Sequence, residues 1–296
     1  MIEDALVFGI RDFMKKCGFT RAHLGLSGGI DSALAAYLTV KAAGAENITG
    51  ISMPSRFSSR HSKDDAAELA ARLGCAYEIL PIEKCYKSFL TTLEAVFEGR
   101  PFDIAEENLQ ARIRGVLLMA FSNKFNSMLI TTGNKSEIAM GYCTLYGDTN
   151  GALAPIGDLY KTEVFALCRR INERSIEAGG QAVIPQSTID KPPSAELRPN
   201  QKDQDSLPPY DVLDGILRLY LGGKASLKEI VKQGWDRDIA DRIIKTVART
   251  GFKRRQMAPV LELPPMLELS PLSQTGRSAG RKRKTSIARP VYNSEY

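Results

Sequence analysis

Four short apolar runs separated by stretches of helical length constrain this chain more than any other feature. Residues 21–26, 48–53, 76–80 and 127–132 read as strands. Residues 30–43, 64–73, 83–98 and 105–123 carry helical spacing between and after them, and residues 3–16 form an amphipathic helix ahead of the first strand. Strands alternating with helices pair in parallel through right-handed βαβ crossovers. The fold class is therefore α/β: a doubly wound parallel sheet with helices on both faces, followed by a helical C-terminal part over residues 210–221 and 226–249. Residues 182–209, rich in Pro, Ser, Asp and Lys, read as one long functional loop. The stretch from 133 to 181 is assigned no element.

In open sheets of this kind ligands bind beyond the carboxyl ends of the strands. Ser27, Met53 and Thr132 fall at three such ends. Ser27-Gly-Gly-Ile-Asp-Ser32 also joins a strand to a helix. Helix-initial N–H groups lack intrahelical partners and the helix dipole adds positive potential. The two glycines let an anion approach the backbone closely, and Ser27 and Ser32 offer hydroxyl donors, so the loop suits a phosphate. Asp31 would repel a bare phosphate, and its presence points to a bridging Mg²⁺. The same residues also suit a purely structural Gly-Gly turn with a Ser/Asp helix cap. The loop is not Walker A, which needs Gly-Lys-Ser/Thr.

Composition excludes several classes. Five cysteines (Cys17, Cys75, Cys85, Cys143, Cys168) form no CxxC pair, and there are only two histidines, His23 and His61. Neither a disulfide framework nor a zinc site is indicated, and reduced thiols fit a cytoplasmic protein. No apolar run has membrane-spanning length, and Met1-Ile-Glu-Asp4 shows no basic region followed by an apolar stretch, so no secretory signal is expected. The +6 net charge is concentrated in residues 270–296, which hold six basic residues and one acid. The body is near neutral, which argues against a nucleic-acid-binding surface. The chain accordingly divides into a domain over 1–262 and a basic, flexible tail over 263–296.

The loop resembles the SGGxDS signature of the ATP pyrophosphatases, which cleave ATP between the α- and β-phosphates. Within that group, Asn108-Leu-Gln-Ala-Arg112, Thr131-Thr-Gly-Asn-Lys-Ser-Glu137, Gly141-Tyr-Cys-Thr-Leu-Tyr-Gly-Asp148, Pro155-Ile-Gly-Asp-Leu-Tyr-Lys-Thr162, Pro193-Ser-Ala-Glu-Leu-Arg-Pro199 and Lys253-Arg-Arg-Gln256 look like the NAD synthetase core, in the expected order. Read singly, Met53 would be core, Glu137, Lys161 and Arg112 solvated charges, and Ser194 a loop hydroxyl. Their joint order carries the resemblance.

The resemblance implies an adenine nucleotide alpha hydrolase-like fold and a set of roles. Gly25, Leu26, Ser27, Gly28, Gly29, Ile30, Asp31 and Ser32 would hold the ATP phosphates. Met53 would lie against adenine and Thr132 would contact the nucleotide. Lys161 and Ser194 would grip the departing pyrophosphate, with Asp31 and Lys161 as the catalytic pair. Asp31 and Glu137 would bind Mg²⁺. Arg112, Glu137 and Lys253 would bind deamido-NAD. The implied reaction is amidation of deamido-NAD to NAD through an adenylate, releasing AMP and pyrophosphate, with ammonia as the direct nitrogen donor and a homodimer as the assembly. Leu145 and Ala152 stand where short ammonia-dependent members often carry a lysine and an acid, so the chain looks like the synthetase half of glutamine-dependent enzymes. With no room for a glutaminase domain in 296 residues, free ammonia or a separate glutaminase partner is expected. The rival readings are a tRNA sulfurtransferase and a non-catalytic nucleotide-binding protein.

Overall fold

The computed structural model describes residues 2–264 and the pair 291–292. Four strands, β1 (Ala22–Gly25), β2 (Ile48–Ser52), β3 (Ala76–Ile79) and β4 (Met128–Ile130), form one sheet in the order β3-β2-β1-β4. All its pairs are parallel, with Ala22 opposite both Ile48 and Met128 and Thr49 opposite Ala76. Beyond β4, isolated parallel bridges join Ile130 to Leu153 and Ala154 to Val260. The strands lie within the stretches that the sequence marks as apolar.

Helices cover both faces. The helices α1 (Ile2–Cys17), α2 (Ile30–Ala43), α3 (Arg60–Leu73), α4 (Glu83–Phe97) and α5 (Ile104–Phe125) follow the expected pattern, and α3 starts four residues early because Ser59 caps it. The Ser59 hydroxyl accepts from the Ser62 N–H at 3.1 Å, one of the donors a helix start leaves free. His61 lies within the first turn of α3. Leu6, Ile10, Leu34 and Leu38 bury against Leu24 and Ile130 on one face. Ile51, Met53, Ile82, Tyr86 and Ile113 form the core of the other, beneath α4 and α5.

Two helices arise where the sequence reading assigned none: α6 (Lys135–Met140) and α7 (Lys161–Glu177). Val164, Leu167, Cys168 and Ile171 of α7 are buried at helical spacing and join the main core. A short α8 (Gln186–Asp190) interrupts the long loop, and α9 (Tyr210–Leu217) continues as a π-helical turn over Arg218–Gly222. The expected helix over 226–249 is two, α10 (Leu227–Lys232) and α11 (Arg237–Arg249). Gly234 at φ 95° breaks the chain, and the Asp236 side chain restarts it by accepting from the Ile239 N–H at 2.8 Å. With α6 and α9 these helices enclose a second core around Leu213, Ile216 and Ile243. After α12 (Gly251–Arg254), β5 (Leu261–Glu262) pairs antiparallel with β6 (Val291–Tyr292). The basic segment 277–289 lies outside the described residues, and no described helix is long and apolar enough to cross a membrane.

His23 sits on β1, fully buried. Its Nε2–H donates to the Leu118 carbonyl and its Nδ1 accepts from the Ser127 hydroxyl, both at 2.9 Å. Burial lowers its pKa, and the Leu118 bond opposes that only in part. It belongs to the core beneath the site, with no role facing the cleft.

Candidate active site

A cleft of about 310 Å³ opens at the carboxyl ends of β1, β2 and β4. Where β1 stops, the Leu26 N–H still donates to the Ile51 carbonyl at 2.8 Å, and then the chain turns away from the sheet. Gly28 makes that turn at φ 79°. A Cβ there would stand 2.2 Å from the Ser62 carbonyl oxygen, so the first turn of α3 packs directly on the loop. The Ser32 hydroxyl donates to the Gly29 carbonyl at 2.9 Å, and the Gly29 N–H donates to the Ser27 hydroxyl at 3.2 Å. No side chain caps α2, which leaves its leading amides for a ligand.

The opposite wall comes from the segment after β4. Asn134 caps α6, accepting from the Glu137 N–H at 3.0 Å, while its Nδ2 donates to Asp31 Oδ1 at 2.9 Å. One asparagine thus sets both carboxylates. Lys161, the first residue of α7, is placed by its own N–H, which donates to the Ser136 hydroxyl at 2.9 Å. Asp214 fixes that hydroxyl and also accepts from the Thr162 N–H at 2.9 Å. The Lys161 ammonium then bridges Asp31 and Glu137, the latter at 3.1 Å.

The electrostatics follow from burial. Lys161 is only 2% exposed. Burial opposes its charge, but the Asp31 and Glu137 carboxylates outweigh that and raise its pKa. Glu137 is pushed up to about 8, by burial first and then by the Asp31 and Asp203 charges, against the pull of Lys161. Asp203, buried at the cleft edge, accepts from the Tyr210 hydroxyl at 2.7 Å, and burial raises its pKa too. Two carboxylates therefore pair with one ammonium, and Asp203 acts on it at longer range. The hard oxygens of Asp31 and Glu137, beside the uncapped start of α2, are a donor set that fits Mg²⁺. That ion takes one or two carboxylates and completes its shell with phosphate and water.

The third side is the 191–201 segment. Glu196 accepts from the Ser62 hydroxyl at 2.7 Å, the Ser59 N–H at 3.1 Å and the Lys191 ammonium at 3.0 Å. Burial works against its charge, but the bonds from Ser62 and Lys191 outweigh it and hold the carboxyl below its usual range. Ser194 donates to the Gln201 carbonyl.

Of the residues singled out from the sequence, Gly25, Leu26, Ser27, Gly29, Ile30, Asp31, Ser32, Met53, Thr132, Glu137, Lys161 and Ser194 line this one cleft. Gly28 lies behind it against Ser62. Arg112 and Lys253 do not line it. Arg112 donates from Nε to the Leu145 carbonyl at 3.2 Å, and Lys253 donates to the carbonyls of Gly141 at 2.8 Å and Cys143 at 2.7 Å. Both brace the 141–148 segment that forms the outer wall. The structure adds Arg114, Lys191, Glu196 and Asp203 to the lining, and Asn134 behind it. Asn134 lay inside a stretch already marked, but nothing local marked Asp203.

Comparison with known proteins identifies the family. The profile of the NAD synthase family matches residues 2–257. A glutamine-dependent NAD(+) synthetase of Synechocystis sp. is 52% identical over 259 residues, covering 88% of this chain and 45% of that one. The chain thus spans about half the length of such relatives. Among solved structures, the glutamine-dependent NAD+ synthetase of Acinetobacter baumannii in complex with ADP is 43% identical with a TM-score of 0.63, over 87% of this chain and 45% of that one. The NH3-dependent NAD synthetase of Campylobacter jejuni is 28% identical with a TM-score of 0.68, over 88% of this chain and 97% of that one. With a family match over nearly its whole described length and a relative 52% identical to it, the chain belongs to the NAD synthase family.

Proposed function

We propose that this cleft amidates deamido-NAD to NAD at the expense of ATP, through an acyl-adenylate, with ammonia as the attacking nitrogen. The observation that carries the reading is the meeting of the uncapped α2 start with Asp31, Glu137 and Lys161 in one cleft. A carboxylate is a poor electrophile and must first be activated. Its oxygen attacks the α-phosphorus of ATP, the bond to the β-phosphate oxygen breaks, and pyrophosphate leaves. Ammonia then attacks the acyl carbon and loses a proton, and AMP leaves with the C–O bonding pair.

No protein nucleophile is needed, and the residues work by placement and charge. The α2 amides, Ser27 and Ser32 hold phosphate oxygens. Lys161 offsets negative charge that builds on the departing pyrophosphate, and Ser194 and Lys191 are placed to steady it. Met53 and Leu118 offer apolar surface to adenine, and Thr132 a hydroxyl beside it. Asp31 and Glu137 would hold Mg²⁺, which when bound neutralises phosphate charge as a Lewis acid. Arg112 and Lys253, on the outer wall, would meet the dinucleotide where it leaves the cleft. The proposed assembly is a homodimer in the cytoplasm, for which the exposed Phe89, Val96, Ile104 and Val116 on the packed pair α4 and α5 offer apolar surface.

Ammonia as direct donor is supported by the match along almost all of the Campylobacter NH3-dependent chain. The glutamine-dependent relatives leave a separate glutaminase as an alternative source. The test is one assay with ATP, Mg²⁺ and deamido-NAD, comparing ammonium with glutamine. It should give NAD, AMP and pyrophosphate with ammonium, and little product with glutamine. Formation of ADP would overturn the adenylate, and near-wild-type rates in both Asp31→Ala and Lys161→Ala would overturn the site.

A further inference from the structure

Two of the cations that line the cleft are already paired. Lys161 is held by Asp31 and Glu137, and Lys191 by Glu196. Arg112, through its Nε–H, and Lys253, through its ammonium, donate to main-chain carbonyls of the outer wall, and neither lines the cleft. Arg114 differs. It projects from α5 into the cleft on the same helix stripe as Ala111 and Leu118. Its Nε–H donates to the Met53 carbonyl at 3.0 Å, which fixes the guanidinium plane. Among the described residues no carboxylate pairs with it, and Glu196 and Asp148 act on it only at longer range. Among the described residues neither terminal nitrogen has a hydrogen-bond acceptor. Burial lowers its pKa to about 10, the mark of a charge kept away from water at some cost. A charge in that position is stabilised when an anion arrives, and a guanidinium held by one edge presents the other as a fork suited to a planar or tetrahedral oxyanion.

We propose that Arg114 is a ligand-binding residue of this cleft, whose free guanidinium edge takes an oxyanion of a bound substrate. The oxyanion is the nucleotide phosphate nearest the base or the carboxylate to be amidated. The proposal rests on the reading of the cleft as an adenine-nucleotide site. Its bond to Met53 places Arg114 beside the apolar end of the cleft rather than beside the Asp31–Lys161 cluster. It therefore adds positive charge where the sequence motif supplies none.

The test is calorimetric binding, without turnover, of adenosine, AMP, deamido-NAD and NAD to the whole chain as wild type, Arg114→Gln and Arg114→Lys. A charge-assisted pair is worth enough that its loss weakens binding about tenfold or more. If Arg114 holds the phosphate, Arg114→Gln weakens AMP by that factor and leaves adenosine unchanged. If it holds the carboxylate, deamido-NAD weakens and NAD does not. Arg114→Lys, which keeps the charge but loses the fork, falls between. Equal weakening of all four ligands would overturn the proposal, leaving Arg114 as a brace for Met53, and so would unchanged binding of all four. Wild-type protein that binds no AMP would refute the nucleotide site itself, before any variant is compared.

Discussion

Gly28 and Gly29 look equivalent in the sequence, yet the structure predicts opposite tolerance to a methyl group. Gly28 stands at φ 79°, and a Cβ there would lie 2.2 Å from the Ser62 carbonyl oxygen. Gly29 stands at φ −88°, and a Cβ would lie 3.2 Å from the Ser27 hydroxyl, which can rotate. For Gly28→Ala the left-handed backbone costs about 1–2 kcal/mol. The contact must also open by roughly 1 Å against a backbone atom, an overpacking cost of about 1–3 kcal/mol. The total is about 2–5 kcal/mol, a large share of the stability of a typical domain. For Gly29→Ala the loss is about 1 kcal/mol or less, that of a poorer helix N-cap. Because Ser62 also holds Glu196, the Gly28→Ala displacement should reach the 191–201 segment, and ATP affinity should fall with stability. Urea unfolding and ATP calorimetry on both variants check this. Equal losses of stability in the two, or a greater loss in Gly29→Ala, would refute the packing argument.

Two other consequences concern buried charge. His23 has a folded pKa below its ordinary 6.5, so as pH falls through 6.5 the unfolded chain takes up a proton that the folded ring refuses. Stability should therefore decline below pH 6.5, with a limiting slope near 1.4 kcal/mol per pH unit, and His23→Gln should remove that component from a pH series of urea unfolding. An unchanged slope would show that the ring is protonated in the fold. Lys161→Met should destabilise by about 3–5 kcal/mol, because it strands Asp31 and Glu137 against one another in a buried site. Adding Glu137→Gln to Lys161→Met should recover part of that loss, and a cycle with no coupling would refute the shared ammonium.

The sheet was legible because its signal is local. Leu24, Ile48, Ile51 and Ile130 carry the strand pattern within a few residues, and Pro54 and the two glycines mark where strands end. The helix α7 carries an equally local stripe, Val164, Leu167, Cys168 and Ile171, which marks it without any tertiary information. The gap between α10 and α11 is different. Apolar spacing persists across residues 226–249, and only the cap chemistry of Asp236 and the left-handed Gly234 interrupt it. The acid–lysine–acid cluster was legible only through resemblance. Asn134 and Asp31 meet across 103 residues of chain and Lys161 and Asp31 across 130, so no window of sequence holds the pair.

The choice between Arg112 and Arg114 shows why the rest was hidden. Residues at positions i and i+2 of a helix point some 200° apart, so the phase of α5 decides which arginine enters the cleft. Hydropathy normally reveals phase, since the buried stripe is apolar and the outer one polar. Here α5 is apolar on both sides: Ala111 and Ile113 are buried, while Val116 is 65% and Met119 38% exposed. The phase is set instead by contacts across the chain. Gln110, fully buried, donates to the Leu197 carbonyl at 2.8 Å, and the bare backbone at Gly115 admits Asn150 and the Tyr146 carbonyl. Those contacts turn Arg114 inward beneath Met53 and leave Arg112 outside, gripping Leu145. If that account of the phase is right, Gly115→Ala, whose Cβ would stand 2.6 Å from Tyr146 O, should weaken AMP binding with Arg114 itself intact. Unchanged affinity in that variant would mean the phase is held by Gln110 alone.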